Sequence, residues 1–350
     1  MNRVPAHVRS LVRVAAMCSV AGAVLASCAT PTVTSPHVTG LPAISISVPL
    51  SSVGCTTNNS CVALGTSNLD VSLTSVGEYR LTSGRWAALA VPNADPSTVI
   101  TSSSCWSEGC LFVGSQSSGD LVWRYDASSH SVTAEKAPAG ATGIDAVSCY
   151  TSMTCAILDS SKSGPRFLTT TDGGTTWSAP VTFGVPSQDF VTALSCPLRL
   201  KCMASFESSS SDIAVYVTED GGATWSPRTG FSTVTWSVLT SLNCAGKKCR
   251  GLAKLSTGWR IVRSDNFGRS WSKVVSLHGS ILTLACTTLE RCVIGGMKNF
   301  LSSSPWLATV TSNKVTPVKL KYVPSPISDV ACGSRICVAI GVTTVVTLRP

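Results

Sequence analysis

Histidine, tyrosine and sustained helical patterning are what this sequence has least of. Four histidines and five tyrosines are spread over 350 residues. His130 and His278 fall in turn-like segments with no serine or cysteine elbow beside them, so a Ser/His or Cys/His nucleophile pair is not marked. There is no phosphate-binding loop, no glycine dinucleotide fingerprint and no run of residues at metal-ligand spacing. The sequence therefore predicts neither cofactor nor metal. Acids number 18, yet no two of them stand out as a catalytic pair. Basic residues are not interleaved with aromatics, which argues against nucleic acid as a partner. No stretch carries apolar residues at helical spacing.

What the chain does have is a repeat. The cysteine pairs Cys55/Cys61, Cys105/Cys110, Cys149/Cys155, Cys196/Cys202, Cys244/Cys249, Cys286/Cys292 and Cys332/Cys337 recur with first members 50, 44, 47, 48, 42 and 46 residues apart. Each second cysteine opens an apolar segment, as in CVALG, CAILD and CVAIG. Runs of four to six apolar, Thr and Ser residues broken by Gly, Asn, Asp and Ser clusters read as strands. Four strands per period of this length is the arithmetic of a propeller blade. The expected fold is an all-β, seven-bladed β-propeller with four-stranded antiparallel blades and one hairpin disulfide per blade, occupying 43–350 as one domain. Each disulfide is expected to staple the turn between the first and second strands of its blade. The last unit stops a strand short, and Ala43-Ile44-Ser45-Ile46-Ser47 is expected to close the ring by pairing with Thr343–Leu348. Closure removes exposed sheet edges.

Residues 1–27 read as an export signal. Arg3, Arg9 and Arg13 precede the apolar run Val14–Leu25, too short for a dependable membrane span. Leu25-Ala26-Ser27-Cys28 resembles the bacterial lipoprotein lipobox, which implies cleavage before Cys28 and lipidation of that cysteine. The expected location is the outer side of a bacterial cytoplasmic membrane. Residues 28–42, rich in Thr, Pro and Ser, are expected to be a tether, with His37 solvated. Without the signal the net charge falls from +9 to +6. Export also favours disulfides for the paired cysteines, whereas C-x4-C or C-x5-C without histidine is a poor zinc pattern.

Three units add a further motif. Thr170–Trp177 reads TTDGGTTW, Thr218–Trp225 reads TEDGGATW and Ser264–Trp271 reads SDNFGRSW. These resemble the Asp-box of sialidase-like, or BNR-repeat, propellers. The whole unit also resembles the seven-bladed photosystem II assembly-factor family. The resemblance implies structural roles for Asp172, Gly174, Trp177, Asp220, Gly222, Trp225, Asn266, Gly268 and Trp271. The acids cap their own turn and the glycines supply positive φ, while the tryptophans pack between sheets. Sialidases need an arginine cluster and a Tyr/Glu nucleophile pair, and their Arg-Ile-Pro-like segment is missing here; Tyr79-Arg80-Leu81-Thr82 is the nearest string. No catalytic residue is assigned.

In an up-and-down blade the turns after strands one and three share one end. Disulfides and Asp-boxes should then occupy one face, and longer polar loops the other. Loops on a rigid scaffold commonly carry binding, so the candidate binding residues are Asp70, Asp120, Asp159, Arg166, Asp189, Asp212, Lys254, Trp236 and Phe300. Further candidates are Lys162, Glu207, Lys298 and Tyr322. Asp145 is expected to line the central channel, at the register of Ser51, Thr101, Thr192, Thr240 and Ser328. Lys247, Lys248 and Arg250 form a basic cluster that suits anionic lipid or wall polymer. The function expected is a non-catalytic binding or assembly propeller, monomeric, taking a protein or carbohydrate ligand on the face opposite the disulfides. The rival is a sialidase-like glycoside hydrolase.

Overall fold

In the computed structural model the chain divides into two units, 1–34 and 35–350. The residues described are 37–40, 50–65, 76–80, 85–92, 97–161, 164–183, 190–207, 213–228, 236–255, 257–299, 304–320, 323, 325–342 and 344–349. They form seven four-stranded antiparallel sheets. Sheet one comprises Leu50–Cys55, Cys61–Gly65, Val76–Arg80 and Arg85–Leu89. Sheets two to six open with Val99–Cys105, Ile144–Cys149, Phe190–Leu198, Trp236–Ala245 and Ser280–Thr288. Sheet seven takes Asp329–Cys332, Cys337–Ile340 and Thr344–Leu348 from the end of the chain and His37–Gly40 from its start. The first strands stand side by side around an axial cavity, and Asp329–Cys332 lies beside Leu50–Cys55. The architecture is an all-β propeller with four-stranded antiparallel blades.

Burial explains the residue pattern. The second strands are covered on both faces by neighbouring sheets, so CVALG and CAILD are buried throughout and read as continuous apolar runs rather than as alternation. Fourth strands lie at the rim, and Ser226–Arg228 and Lys314–Pro317 are largely exposed. The cores sit between sheets. Val53, Ala63 and Trp86 of sheet one pack with Val338, Ile340 and Val345 of sheet seven, and Leu158, Phe167 and Phe183 pack with Leu194 and Phe206. Each fully buried Val, Leu, Ile or Phe side chain contributes roughly 1.5–3 kcal/mol.

All seven expected disulfides are present: Cys55–Cys61, Cys105–Cys110, Cys149–Cys155, Cys196–Cys202, Cys244–Cys249, Cys286–Cys292 and Cys332–Cys337. Each joins a first strand to its second. Closing so short a loop contributes about 2 kcal/mol by the chain-entropy estimate. As expected, they close the turns between the first and second strands. The second members, Cys61, Cys110, Cys155, Cys202, Cys249, Cys292 and Cys337, are not turn residues but buried members of the second strands. Each belongs to an apolar cluster between sheets, Cys110 with Phe112 and Trp123, Cys155 with Ile157, Cys202 with Ala204, Cys249 with Val262 and Cys292 with Ile294. The second strand is covered on both faces from its first turn of pleat, so its opening cysteine is covered too. These second cysteines are core residues. Of the first members, Cys55, Cys105, Cys244, Cys286 and Cys332 border the axial cavity.

The turns these disulfides close lie at the end toward which the first strands run, called here the disulfide face. The turns after the third strands dock on it: Gly173 N–H donates to Met153 O at 2.9 Å, Gly221 N–H to Leu200 O at 2.9 Å and Phe267 N–H to Lys247 O at 2.7 Å. The opposite, open face carries the turns between second and third strands.

The ring closure is also corrected. The strand that completes sheet seven is His37–Gly40, with His37 opposite Thr347, Val38 opposite Val346, Thr39 opposite Val345 and Gly40 opposite Thr344. The expected closing segment, Ala43–Ser47, lies outside the described residues. This strand lies within 28–42, the segment expected to be a tether. The alternation of Ile44 and Ile46 looked more strand-like, but the strand in register with Thr344–Thr347 is His37–Gly40.

Polar side chains join the first strands to one another. Ser102 Oγ accepts from Val147 N–H at 3.2 Å, Ser104 Oγ from Cys149 N–H at 2.8 Å and Ser148 Oγ from Cys196 N–H at 2.8 Å. Asp329, three residues before its cysteine as Ser102 is before Cys105, accepts from Val53 N–H at 3.0 Å and from Thr283 Oγ1 at 3.2 Å. Asn59 of sheet one adds a second tie to sheet seven, its Oδ1 accepting from Arg335 N–H at 2.7 Å and Ile336 N–H at 3.2 Å. These bonds occupy donors that would otherwise face the axis unpaired.

Candidate functional site

The open face between sheets two and three gathers Asp120, Asp145, Asp159 and Arg166. Asp159 ends the second strand of sheet three and Arg166 opens the third, directly opposite it. The register alone brings their side chains together, and they form an ion pair. Asp159 is fully buried. Its Oδ1 also accepts from Thr142 N–H at 3.1 Å, and Arg166 Nη2 donates to Gly140 O at 2.7 Å. Asp120, at the start of the third strand of sheet two opposite Ser115, lies beside the Gly143 and Ile144 amides where sheet three begins. Its Oδ2 is enclosed without a hydrogen-bond partner.

Asp145 does not line the axial cavity as expected. First strands of sheets one to six carry a β-bulge, falling at Ser51, Thr101, Asp145, Thr192, Thr240 and Leu282. A bulge leaves one residue out of the ladder and re-aims its side chain. At Thr101 the hydroxyl donates to Val113 O at 3.1 Å. Asp145 has no proton to give and instead accepts from Ser160 Oγ, which holds it in the open-face cluster.

Three carboxylates gather near one guanidinium here, which pairs with Asp159, and the electrostatics follow. Burial, then the charge of Asp159, pushes the Asp120 carboxyl above the ordinary carboxylate range. Burial also raises Asp145, opposed by the Ser160 hydrogen bond and reinforced by Asp159. Such a cluster attracts a cation or a donor able to reach Asp120 Oδ2. Among the described residues no three of His, Cys, Asp and Glu stand close enough to hold a metal.

The other candidates do not join it. Asp70, Lys162, Asp189, Asp212, Phe300 and Tyr322 lie outside the described residues. Trp236 opens the first strand of sheet five opposite Leu255. Glu207, Lys254 and Lys298 are exposed on other sheets. Sequence reasoning missed the grouping of Asp145 with Asp159, because neither the bulge nor the ion-pair register is visible before strand pairing is known.

The axial cavity, of about 680 Å³, is lined by hydroxyl-bearing residues such as Ser52, Thr101, Ser102 and Thr283. Asp329 is the one carboxylate among its described lining residues, and no arginine is among them. Burial outweighs four hydrogen bonds and raises Asp329 to about 6.

The Asp-box-like turns are bonded within themselves. Asp172 accepts from Thr176 N–H at 2.9 Å and Thr170 Oγ1 at 2.7 Å, and Asp220 repeats this with Thr224 N–H at 3.0 Å and Thr218 Oγ1 at 2.7 Å. Asn266 accepts from Ser270 N–H at 2.9 Å. Hydrogen bonds from Thr176, then Thr170, pull Asp172 down to about 2. Trp177 Nε1 donates to Lys136 O just after the preceding sheet, Trp225 meets Phe167 edge-on and Phe183 at a tilt, and Trp271 packs in the Met203 cluster. In the basic cluster, Arg250 is not at the surface. It is buried, donating to Ser312 O at 3.0 Å and paired with Glu290 at 3.1 Å.

With four-stranded blades around a common axis, the molecule belongs structurally among the β-propellers. No family model matches the chain, and no curated protein matches it. Solved structures do. YCF48 bound to a D1 peptide superposes with a TM-score of 0.63 at 14% identity, over 90% of this chain and 97% of that one. The GH74 xyloglucanase from Xanthomonas campestris gives 0.63 at 11% identity, over 90% of this chain and 53% of that one. The WD40 repeats of RRP9 give 0.62 at 11%, over 89% and 99%. At these identities the likeness is one of fold.

Proposed function

We propose that this chain is an exported lipoprotein whose propeller is a seven-bladed, non-catalytic binding module, with the open face as its recognition surface. The observation that carries the binding reading is Asp120 and Asp145 gathered beside the Asp159–Arg166 ion pair, with Asp120 Oδ2 unpartnered. That arrangement suits a protein segment presenting a lysine or arginine. The peptide-bound YCF48 structure lends support by analogy of fold. Seven blades are supported by the sheet inventory and by Asp329, which reaches Val53 across the ring seam just as Ser102 reaches Val147. Export and anchoring are supported by the lipobox-like Leu25–Cys28. They are tested by the mass of the mature N-terminus.

A glycoside hydrolase is the second reading. A general acid needs a carboxyl pushed upward, as Asp120 and Asp145 are. A lysine- and arginine-scanned peptide array, run beside a glycan array and a fluorogenic glycoside panel, separates the two. Peptide binding lost in Asp120→Asn supports the module. Turnover of any glycoside sinks the non-catalytic reading.

A further inference from the structure

We infer that the disulfide face is a membrane-docking surface, shaped to lie on an anionic bilayer. This rests on the envelope location proposed above and adds to it an orientation and a lipid class.

Three observations converge. The first is where the chain enters. His37 pairs with Thr347, the residue before Leu348, and Leu348 pairs with Cys337 of the sheet-seven disulfide. The strand His37–Gly40 therefore begins at the disulfide face. Nine peptide steps separate Cys28 from His37, at most about 30 Å of extended chain.

The second is apolar exposure. Tyr150 and Met153 in the sheet-three disulfide turn and Leu200 in the adjacent sheet-four turn are 44%, 47% and 51% exposed. These are tips of rigid, disulfide-closed turns. Large apolar groups at turn tips are suited to insertion among headgroups.

The third is charge. The disulfide turns carry Arg199, Lys201, Lys247, Lys248, Arg291 and Arg335 against two acids, Glu108 and Glu290. Glu290 is held by Arg250, and Lys201 is shared with Glu219. The other acids of this face, among them Asp172, Asp220 and Asp265, sit in the outer turns. The cations thus fall on the disulfide turns of sheets four to seven, and the apolar tips on those of sheets three and four. A soluble acidic partner would be recognised by charge alone and would leave Tyr150, Met153 and Leu200 in water. An anionic bilayer uses both features. In this orientation the acidic open face points away from the membrane, toward its ligand.

The test is vesicle co-sedimentation of residues 29–350, which keep the whole of the 35–350 unit and carry no acyl group. Binding to phosphatidylglycerol-containing vesicles, weaker on phosphatidylcholine alone and weakened by salt, is expected. Lys247→Gln with Lys248→Gln should lower partitioning about 30-fold. Both side chains are exposed, so the fold is retained, and near-UV circular dichroism checks this. Met153→Ser with Leu200→Ser should weaken binding without changing its salt dependence. Equal binding to both vesicle types, no binding, or insensitivity to the lysine pair overturns the inference. The anchor is read separately. If Cys28 proves unacylated while vesicle binding holds, the lipoprotein reading falls and the docking face stands. If Cys28 is acylated and the unacylated chain ignores anionic vesicles, the reverse follows.

Discussion

Gly222→Ala should be among the most damaging single-methyl additions in the molecule. Gly222 has φ +97° and its N–H donates to Thr218 Oγ1 at 2.8 Å. A Cβ there would run into the ring of Phe167 in the preceding sheet. Phe167 cannot move aside, since it is 1% exposed and held edge-on by Phe183 and Trp225. The left-handed backbone costs an L-residue about 1–2 kcal/mol, and overpacking a fixed core adds about 1–3 kcal/mol. The expected loss is about 2–5 kcal/mol from these two terms together. Gly140→Ala is the control, with φ +70° and nothing within 4 Å of the new methyl. It should show the backbone term alone. Gly268→Ala falls between, because the obstacle is Met203 Cε at 2.6 Å, the free end of a flexible chain. The assay is urea unfolding of the oxidised protein, comparing midpoints at equal slope. Near-UV circular dichroism reports the Phe167–Trp225 contact. If Gly222→Ala lies no further from wild type than Gly140→Ala, the packing argument is wrong.

Three further outcomes are expected. Asn59→Ala removes the acceptor for the Arg335 and Ile336 amides at the seam between sheets one and seven and should cost about 2–4 kcal/mol, since unmade buried bonds cost about 1–3 kcal/mol each. Asn59→Gly would keep the φ of 69° but not the bonds, and in a thermal melt it should recover only a small part of the loss. Asp329, at about 6 when folded, keeps a proton that the unfolded chain releases near pH 4. Its contribution is therefore complete below pH 4 and is lost as pH rises through 6. Asp329→Asn should flatten the melting-temperature profile across that window, while an unchanged slope would refute the assignment. Arg166→Met strands the fully buried Asp159 and should cost about 3–5 kcal/mol. The double variant with Asp159→Asn should regain most of that loss in chemical denaturation.

The repeat was legible because seven disulfides fall at a common register and second strands must be apolar on both faces. The face assignment followed from connectivity, which is why Asp120, Asp159 and Arg166 could be named together before their contact was seen. Other features were not readable. Val38 gives little signal in HVTG, because a four-residue closing strand owes its place to the waiting edge of Thr344–Leu348 rather than to its own pattern. Asp145 was assigned by period-two alternation, which a bulge breaks. Arg250 looked like a surface cation beside Lys247 and Lys248. Its position on the second strand buries it, and Glu290 and Ser312 of the next sheet supply what water would have given. The same strand buries Cys249 beside it, a depth that cysteine spacing alone does not reveal.

The strand that completes sheet seven also decides how the molecule bears a pull. Tension arriving along residues before His37 enters at the disulfide end and runs parallel to the pairing with Thr344–Thr347. The load is then shared by the whole short ladder at once, in shear, instead of peeling it one bond at a time. A ring tethered by its opposite end would unzip. Pulled from the disulfide end, this one would hold until the ladder with Thr344–Thr347 yields together, and that yielding would open the ring at sheet seven.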